Sequence, residues 1–181
     1  MATGLELLRT SSLDAVTAPV VAAAAGVSKG LVFHYFPSQR ELQAAIAGAA
    51  ADELIVILSD IDRAADHRVQ LRAGLDGFIA YIERFPQSYA AIARDAGSDG
   101  LMREVLERAR DAVVAIVCTV LGLDEPTPVA RLYLRGWIAL VEETAVQWVT
   151  RPAIDRAELV DYLEGAVYDL VVRAVGRGLD A

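Results

Sequence analysis

The chain has 181 residues, of which 55% are apolar, and carries a formal charge of −8. That is enough material for one or two domains with a proper core. A single cysteine, Cys118, excludes an internal disulfide, and two distant histidines, His34 and His67, offer no metal-ligand cluster.

No Gly-rich phosphate loop or nucleophile elbow is visible in the sequence. The acids Glu142 and Glu143 are adjacent, so they point to different faces of one helix. Neither an enzyme nor a resident cofactor is expected. No apolar run reaches membrane-spanning length; the longest, residues 112–123, contains Thr119 and Gly122. No charged-then-apolar leader is seen, so a cytoplasmic protein without a membrane partner is expected. Cys118 lies in that apolar run and reads as a small buried hydrophobe. The charge is unevenly placed. Up to residue 45, Arg9, Lys29 and Arg40 balance Glu6, Asp14 and Glu41, so the acidic excess lies beyond.

In chain order, Leu5, Leu7 and Leu8 predict one or two helical turns, broken at Ser11 and Ser12. Leu13 and Val16 are placed to pack under the next two helices. Residues 17–36 read TAPVVAAAAGVSKGLVFHYF. Thr17 is a suitable N-cap, and Pro19 falls in the first turn, where a missing N–H costs little. A short helix over 20–25 then ends at Gly26, which can adopt the left-handed conformation. Ser28 caps a second helix over 29–36. Val21, Ala25, Val27 and Val32 are expected to form the seam, with Ala22 allowing a close crossing. That arrangement puts Lys29, Gly30, Phe33 and His34 outside.

Pro37 blocks helical geometry at Phe36, and Ser38 with Glu41 reads as a capping box for the next helix. That helix is expected over 39–61, with an apolar stripe of Leu42, Ile46, Ala49, Ala50, Leu54 and Ile57. Helices are also expected over 67–85 and 87–95, then a loop at Gly97, Ser98, Asp99 and Gly100. A helix over 101–121 is apolar nearly all round in its second half, which predicts burial on all sides. Two long amphipathic helices, over 129–149 and 155–175, close the chain. No strand is expected.

The order small residue, Gly, apolar residue at Ala22, Gly26 and Val32 resembles a helix-turn-helix. The run AAAAGVSKGLVFHYFPSQREL is similar to the signature of the TetR family of transcriptional regulators. The resemblance is close from Leu5 to Ile46 and architectural beyond, where LRGWIALVEE and VQWV match a pattern seen in such regulators. It implies an all-α protein. An N-terminal three-helix DNA-binding domain (1–45) would be joined by a long helix to a larger ligand-binding and dimerisation domain (46–181). In the family the first helix begins earlier and comes after a basic arm. Here either the start lies upstream or the reader makes fewer phosphate contacts.

The DNA surface is assigned by role. The helix starts at Thr17 and Ser28 offer amides to phosphate. Lys29 and Gly30 stand at the end of the recognition helix that meets base edges. Leu31 and Phe33 can touch thymine methyls, and His34 and Tyr35 can donate to phosphates. Gln39 joins this set because relatives carry Lys there; they also carry Thr for Leu31 and Tyr for Phe33. Each exchange removes a polar or charged contact, so weaker salt dependence is expected.

The resemblance also implies a homodimer in which a small molecule changes the spacing of two reader heads on a palindromic operator. Candidate pocket residues are Phe78, Tyr81, Tyr89, Arg94, Met102, Trp137 and Glu143. On the last two helices, Val141, Ala145, Trp148, Leu159, Tyr162, Leu163, Ala166 and Leu170 share apolar faces. Those faces either close the subunit's own core or pair with a second copy. Two functions stay open: a ligand-released repressor, or a helical dimeric scaffold or adaptor with weakened or lost DNA binding.

Overall fold

A computed structural model of the chain describes residues 1–86, 89, 90, 92 and 99–179, the side chains of 172–179 excepted. Eight α-helices and one 3-10 turn are found among these residues, and no strand. They are α1 (Ala2–Thr10), α2 (Ala18–Ala25), α3 (Lys29–Tyr35), α4 (Gln39–Ser59), α5 (His67–Arg84), α6 (Gly100–Val120), α7 (Pro128–Thr150) and α8 (Arg156–Leu179). The 3-10 turn is Leu13–Ala15. Of the expected helix over 87–95, residues 89, 90 and 92 are described and are helical; the rest of it, and Gly97 and Ser98 of the expected loop, lie outside the described residues. The chain folds as two compact units, Met1–Leu54 with Phe85–Ala109, and Ile55–Arg84 with Arg110–Ala181. Helices α4 and α6 each contribute to both.

The first unit is built around Leu8, Leu13, Val16, Ala18, Ala22, Val32, Leu42, Ile46, Met102 and Leu106. Leu13 and Val16 are fully buried beneath the helix pair, as their positions predict. Helix α1 lies close on α4, because Gly4 faces Ile46 with no room for a β-carbon, which would sit 2.8 Å from the isoleucine side chain.

Helix α4 starts at a capped Ser38. Its hydroxyl accepts from the Glu41 amide (3.1 Å) and donates to the Glu41 carboxylate (3.2 Å). The α4 stripe differs from the expected one at its far end. Leu58 is buried and Ile57 is 45% exposed, because the stripe advances by four there rather than three. Helix α4 is also the one described helix long and apolar enough to cross a membrane, with mean hydropathy 1.6. It is so by length and composition only, and Arg40, Glu41, Asp52 and Glu53 interrupt it, so it is not the continuous apolar run whose absence was expected. In the fold, Leu42, Ile46, Ala47, Ala50, Leu54 and Leu58 on this helix are buried.

The second unit buries Leu71, Leu75, Phe78, Ile79 and Ile82 of α5 beside Leu134, Trp137, Ile138, Val141 and Ala145 of α7 and Leu159, Val160, Leu163 and Val167 of α8. Polar groups fix the packing angles. The Trp137 indole N–H donates to the Leu163 carbonyl at 2.8 Å, and the Trp148 indole to Ile154 at 2.8 Å. Arg110 donates to Glu142 from Nε (2.9 Å) and Nη2 (2.5 Å). Thr127 caps α7 by accepting from the Ala130 amide.

The second half of α6 is not buried on all sides. Val114, Val117, Cys118 and Val120 are inside, whereas Ala115 and Thr119 are exposed. Small apolar residues tolerate water, so an all-apolar helix still has an outer face here. Cys118 is buried, and desolvation pushes its thiol pKa up.

Candidate DNA-reading surface

The helix-turn-helix is made by local rules. Thr17 takes the N-cap backbone conformation, but its hydroxyl makes no capping bond. The job falls to Gln39 instead. Its Oε1 accepts from the Ala18 amide at 3.0 Å, and its Nε2 donates to the Val16 carbonyl at 2.8 Å. Both carboxamide ends are thus used to hold the start of α2. This corrects the placement of Gln39 among the outward DNA contacts, a placement taken from a lysine position in relatives.

Helix α2 ends at Gly26, whose φ of 66° and ψ of 30° are left-handed. The Val27 amide reaches back to the Ala22 carbonyl at 3.0 Å, closing the turn. The seam is smaller than expected. Ala22 and Val32 are buried and Val21 partly so, while Ala25 and Val27 are exposed. The short turn carries Val27 past the crossing point.

Ser28 then caps α3, its hydroxyl accepting from the Leu31 amide at 3.1 Å. Of the seven residues of α3, Val32 alone is buried. Lys29, Gly30, Leu31, Phe33, His34 and Tyr35 are all exposed. Exposure reaches 44% at Leu31 and 70% at Tyr35. The Lys29 ammonium lies 5.5 Å from the Phe33 ring centroid, and His34 and Tyr35 meet edge to face at 5.4 Å. Four apolar or aromatic side chains and one cation therefore share an outer surface held down by a single valine.

The candidate pocket residues are not brought together in the same way. Phe78 and Trp137 are buried in the second unit, with Tyr81 half-buried there. Met102 is part of the first unit's core, which corrects its placement on a ligand cavity. Glu143 is exposed and accepts from Gln147 one helical turn on, so it too leaves the pocket set. Tyr89 is half-buried in the first unit, and Arg94 lies outside the described residues. A groove of about 620 Å³ in the first unit is lined by Phe36, Ala44, Gly48, Leu101, Val105 and Arg108 among others, and includes none of the seven.

The interface set divides likewise. Val141, Ala145, Leu159 and Leu163 are buried within the subunit, so they form its own core. Trp148, Ala166 and Leu170 are half-buried, and Tyr162 is 65% exposed. The outward apolar residues of α7 are instead Val129, Leu132 and Leu140, at 47%, 69% and 47% exposure.

Sequence reasoning missed a charged cluster in the second unit. Glu164 is only 7% exposed and accepts from Arg72 at 2.7 Å. Arg72 also pairs with Asp161 at 2.6 Å; its hydrogen bonds to Asp161 and then to Glu164 raise its pKa. Arg68 lies over the Tyr168 ring at 4.9 Å, and the Tyr168 hydroxyl is buried without a hydrogen-bond partner among the described residues. Burial pushes that phenol's pKa up. An i, i+4 spacing of Arg68 with Arg72 and of Glu164 with Tyr168 was the available signal.

Comparisons with known proteins agree with this geometry. Residues 1–46 match the domain described as bacterial regulatory proteins, tetR family, and residues 67–168 match the tetracyclin repressor-like C-terminal domain. Over 149 residues the chain is 28% identical to the HTH-type transcriptional activator FasR of Mycolicibacterium smegmatis, covering 78% of this chain and 67% of that one. A tetR-family transcriptional regulator from Streptomyces coelicolor superposes with a TM-score of 0.82 at 26% identity, covering 97% of this chain and 80% of that one. The repressor AlkX of Dietzia sp. strain DQ12-45-1b shares the fold, with a TM-score of 0.64 at 20% identity over 96% of this chain and 95% of that one.

Proposed function

The chain belongs to the TetR family of transcriptional regulators, with a DNA-binding N-terminal domain and no enzymatic role; from that premise we propose that it is a cytoplasmic repressor released from a palindromic operator when a small molecule binds. The functional division we propose is residues 1–45 as reader and 46–181 as the ligand-binding and dimerisation part.

The observation that carries the reading is the outer face of α3. Its residues Lys29, Gly30, Leu31, Phe33, His34 and Tyr35 contribute almost nothing to the core. A helix held by one buried side chain is poor folding design and good groove design. Lys29 and Gly30 stand nearest the bases, Leu31 and Phe33 at thymine methyls, and His34 and Tyr35 at phosphates. The capped start of α3 at Ser28, and Thr17 at the start of α2, add backbone amides toward phosphate.

A homodimer through the outer face of α7 fits the exposed stripe of Val129, Leu132 and Leu140; Tyr162 of α8 is exposed in the same unit. Two copies would then present two α3 helices to two half-sites. For the effector, Phe78, Tyr81 and Trp137 of the second unit remain the candidate contacts. The ligand needs only to favour one head spacing over another. Repression is the simplest consequence of an occupied operator, since it asks for occlusion alone and no contact with the polymerase.

A gel shift on the DNA upstream of the protein's own gene tests this. The wild type should retard that DNA, and Lys29→Ala should weaken binding by about 1–3 kcal/mol without lowering the melting temperature. A lower melting temperature with unchanged DNA affinity would sink the assignment.

A further inference from the structure

Three cations occur in the first 45 residues, and two of them are occupied. Arg9 pairs with Glu6 and, through Nη2, with Glu53 at 3.1 Å. Arg40 donates from Nη1 to Asp99 Oδ2 at 2.8 Å. Only Lys29, lying over Phe33, has no ion pair among the described residues. The reading surface is thus short of positive charge for a partner whose every backbone unit is anionic.

Arg40 stands five residues after Tyr35, the last residue of α3, across the Phe36-Pro37-Ser38 turn. Its side chain is 73% exposed, and that of Asp99 19%. Asp99 is fixed by a second task. Its Oδ1 accepts from the Leu101 amide at 2.9 Å and the Met102 amide at 3.3 Å, capping the start of α6. One partner is therefore anchored and the other is a long side chain at the surface.

We propose that Arg40 is a phosphate-binding residue of the DNA surface, and that the Asp99 carboxylate competes with DNA for its guanidinium. The competition can go either way because an exposed ion pair is weak and easily exchanged. A phosphate offers the same fork a bidentate, charge-assisted contact. Asp99 is ionised at neutral pH; the Met102 amide above all, then the Leu101 amide and Arg40, hold its carboxyl below the ordinary range. Any displacement of the start of α6 then changes the number of phosphate contacts by one. DNA affinity becomes sensitive to a residue that makes no DNA contact itself.

The inference rests on the reading that α3 meets DNA, and the experiment separates the two. Full-length wild type, Asp99→Asn, Arg40→Ala, the double variant and Lys29→Ala are titrated against a short fluorescent duplex of mixed sequence over a salt series. Asparagine can keep the cap of α6 while losing the charge. Asp99→Asn should bind several-fold tighter, with a plot of log K against log salt steeper by about 0.9. Arg40→Ala alone should change little, and in the Asp99→Asn background it should erase the gain. A gain that survives in the double variant would mean simple removal of negative charge and overturns the proposal. So does an Asp99→Asn protein with unchanged affinity and slope. If Asp99→Asn melts early, Asp99→Ser, another capping residue, is held to the same criteria. Loss of binding in Lys29→Ala with no effect at Asp99 removes the competition and leaves the reader. No binding by any variant, wild type included, removes both.

Discussion

Gln39 donates its carboxamide N–H to the Val16 carbonyl at 2.8 Å, across a sequence separation of 23. With the Ala18 bond it makes one side chain the cap that Thr17 does not supply. Gln39→Ala should lower the stability of the reader by about 1–3 kcal/mol, because two part-buried backbone groups lose their partner. Gln39→Glu keeps the acceptor for Ala18 and loses the donor to Val16, so it should fall between. Thermal melts followed by circular dichroism check the order; an alanine variant as stable as the wild type would remove the clamp.

Gly26→Val should destabilise the protein by at least about 1–2 kcal/mol, since a β-carbon is disfavoured at its φ of 66°. No neighbour lies within 4 Å of the position such a carbon would take, so the cost is in the backbone and not in a clash. Gly26→Asn should therefore be much milder, as asparagine tolerates this conformation. Equal losses for the two substitutions would contradict that account.

Leu132→Glu combined with Leu140→Glu should leave the fold intact and shift the protein from dimer to monomer in sedimentation. Both side chains face outward in the subunit. Leu163→Glu should instead unfold it, because Leu163 is 3% exposed and an unpaired charge would be buried. A wild type that sediments as a monomer at micromolar concentration would end the interface.

Acid should weaken the α6 cap. Asp99 has a folded pKa below its ordinary 3.8. The stability it contributes is fully present above that ordinary value and is lost as pH falls through the lower folded one. Asp99→Asn should remove this part of the pH dependence. Melting curves that fall identically with pH in both proteins would show that Asp99 contributes nothing to it.

Much of this was legible because it is local. The Ser28 and Ser38 caps, the turn at Gly26 and the break at Pro37 depend on residues within a few positions of each other. The facing of α7 and α8 was not legible. Both helices carry apolar residues on more than one side, and a period of 3.6 tells which residues share a face but not which face looks inward. Leu163 and Tyr162 are neighbours in sequence and opposites in exposure. Long-range polar pairs are invisible for a related reason. Arg40 and Asp99 are 59 positions apart, and Arg72 and Glu164 are 92 apart. Nothing in either sequence neighbourhood names its partner. Gln39 was misplaced because a relative's lysine was read across to a residue that can both donate and accept.

Lys29 is the one lysine in the chain, and it is exposed at the first turn of α3. Side-chain amine chemistry on this protein is therefore chemistry at that helix. A reagent that reductively methylates or acylates amines has two targets, Lys29 and the chain's α-amino group. Isotope-labelled methyl groups added to Lys29 would give a single side-chain reporter beside Phe33. Its signal should move when DNA arrives and stay still when a ligand is buried elsewhere without changing α3.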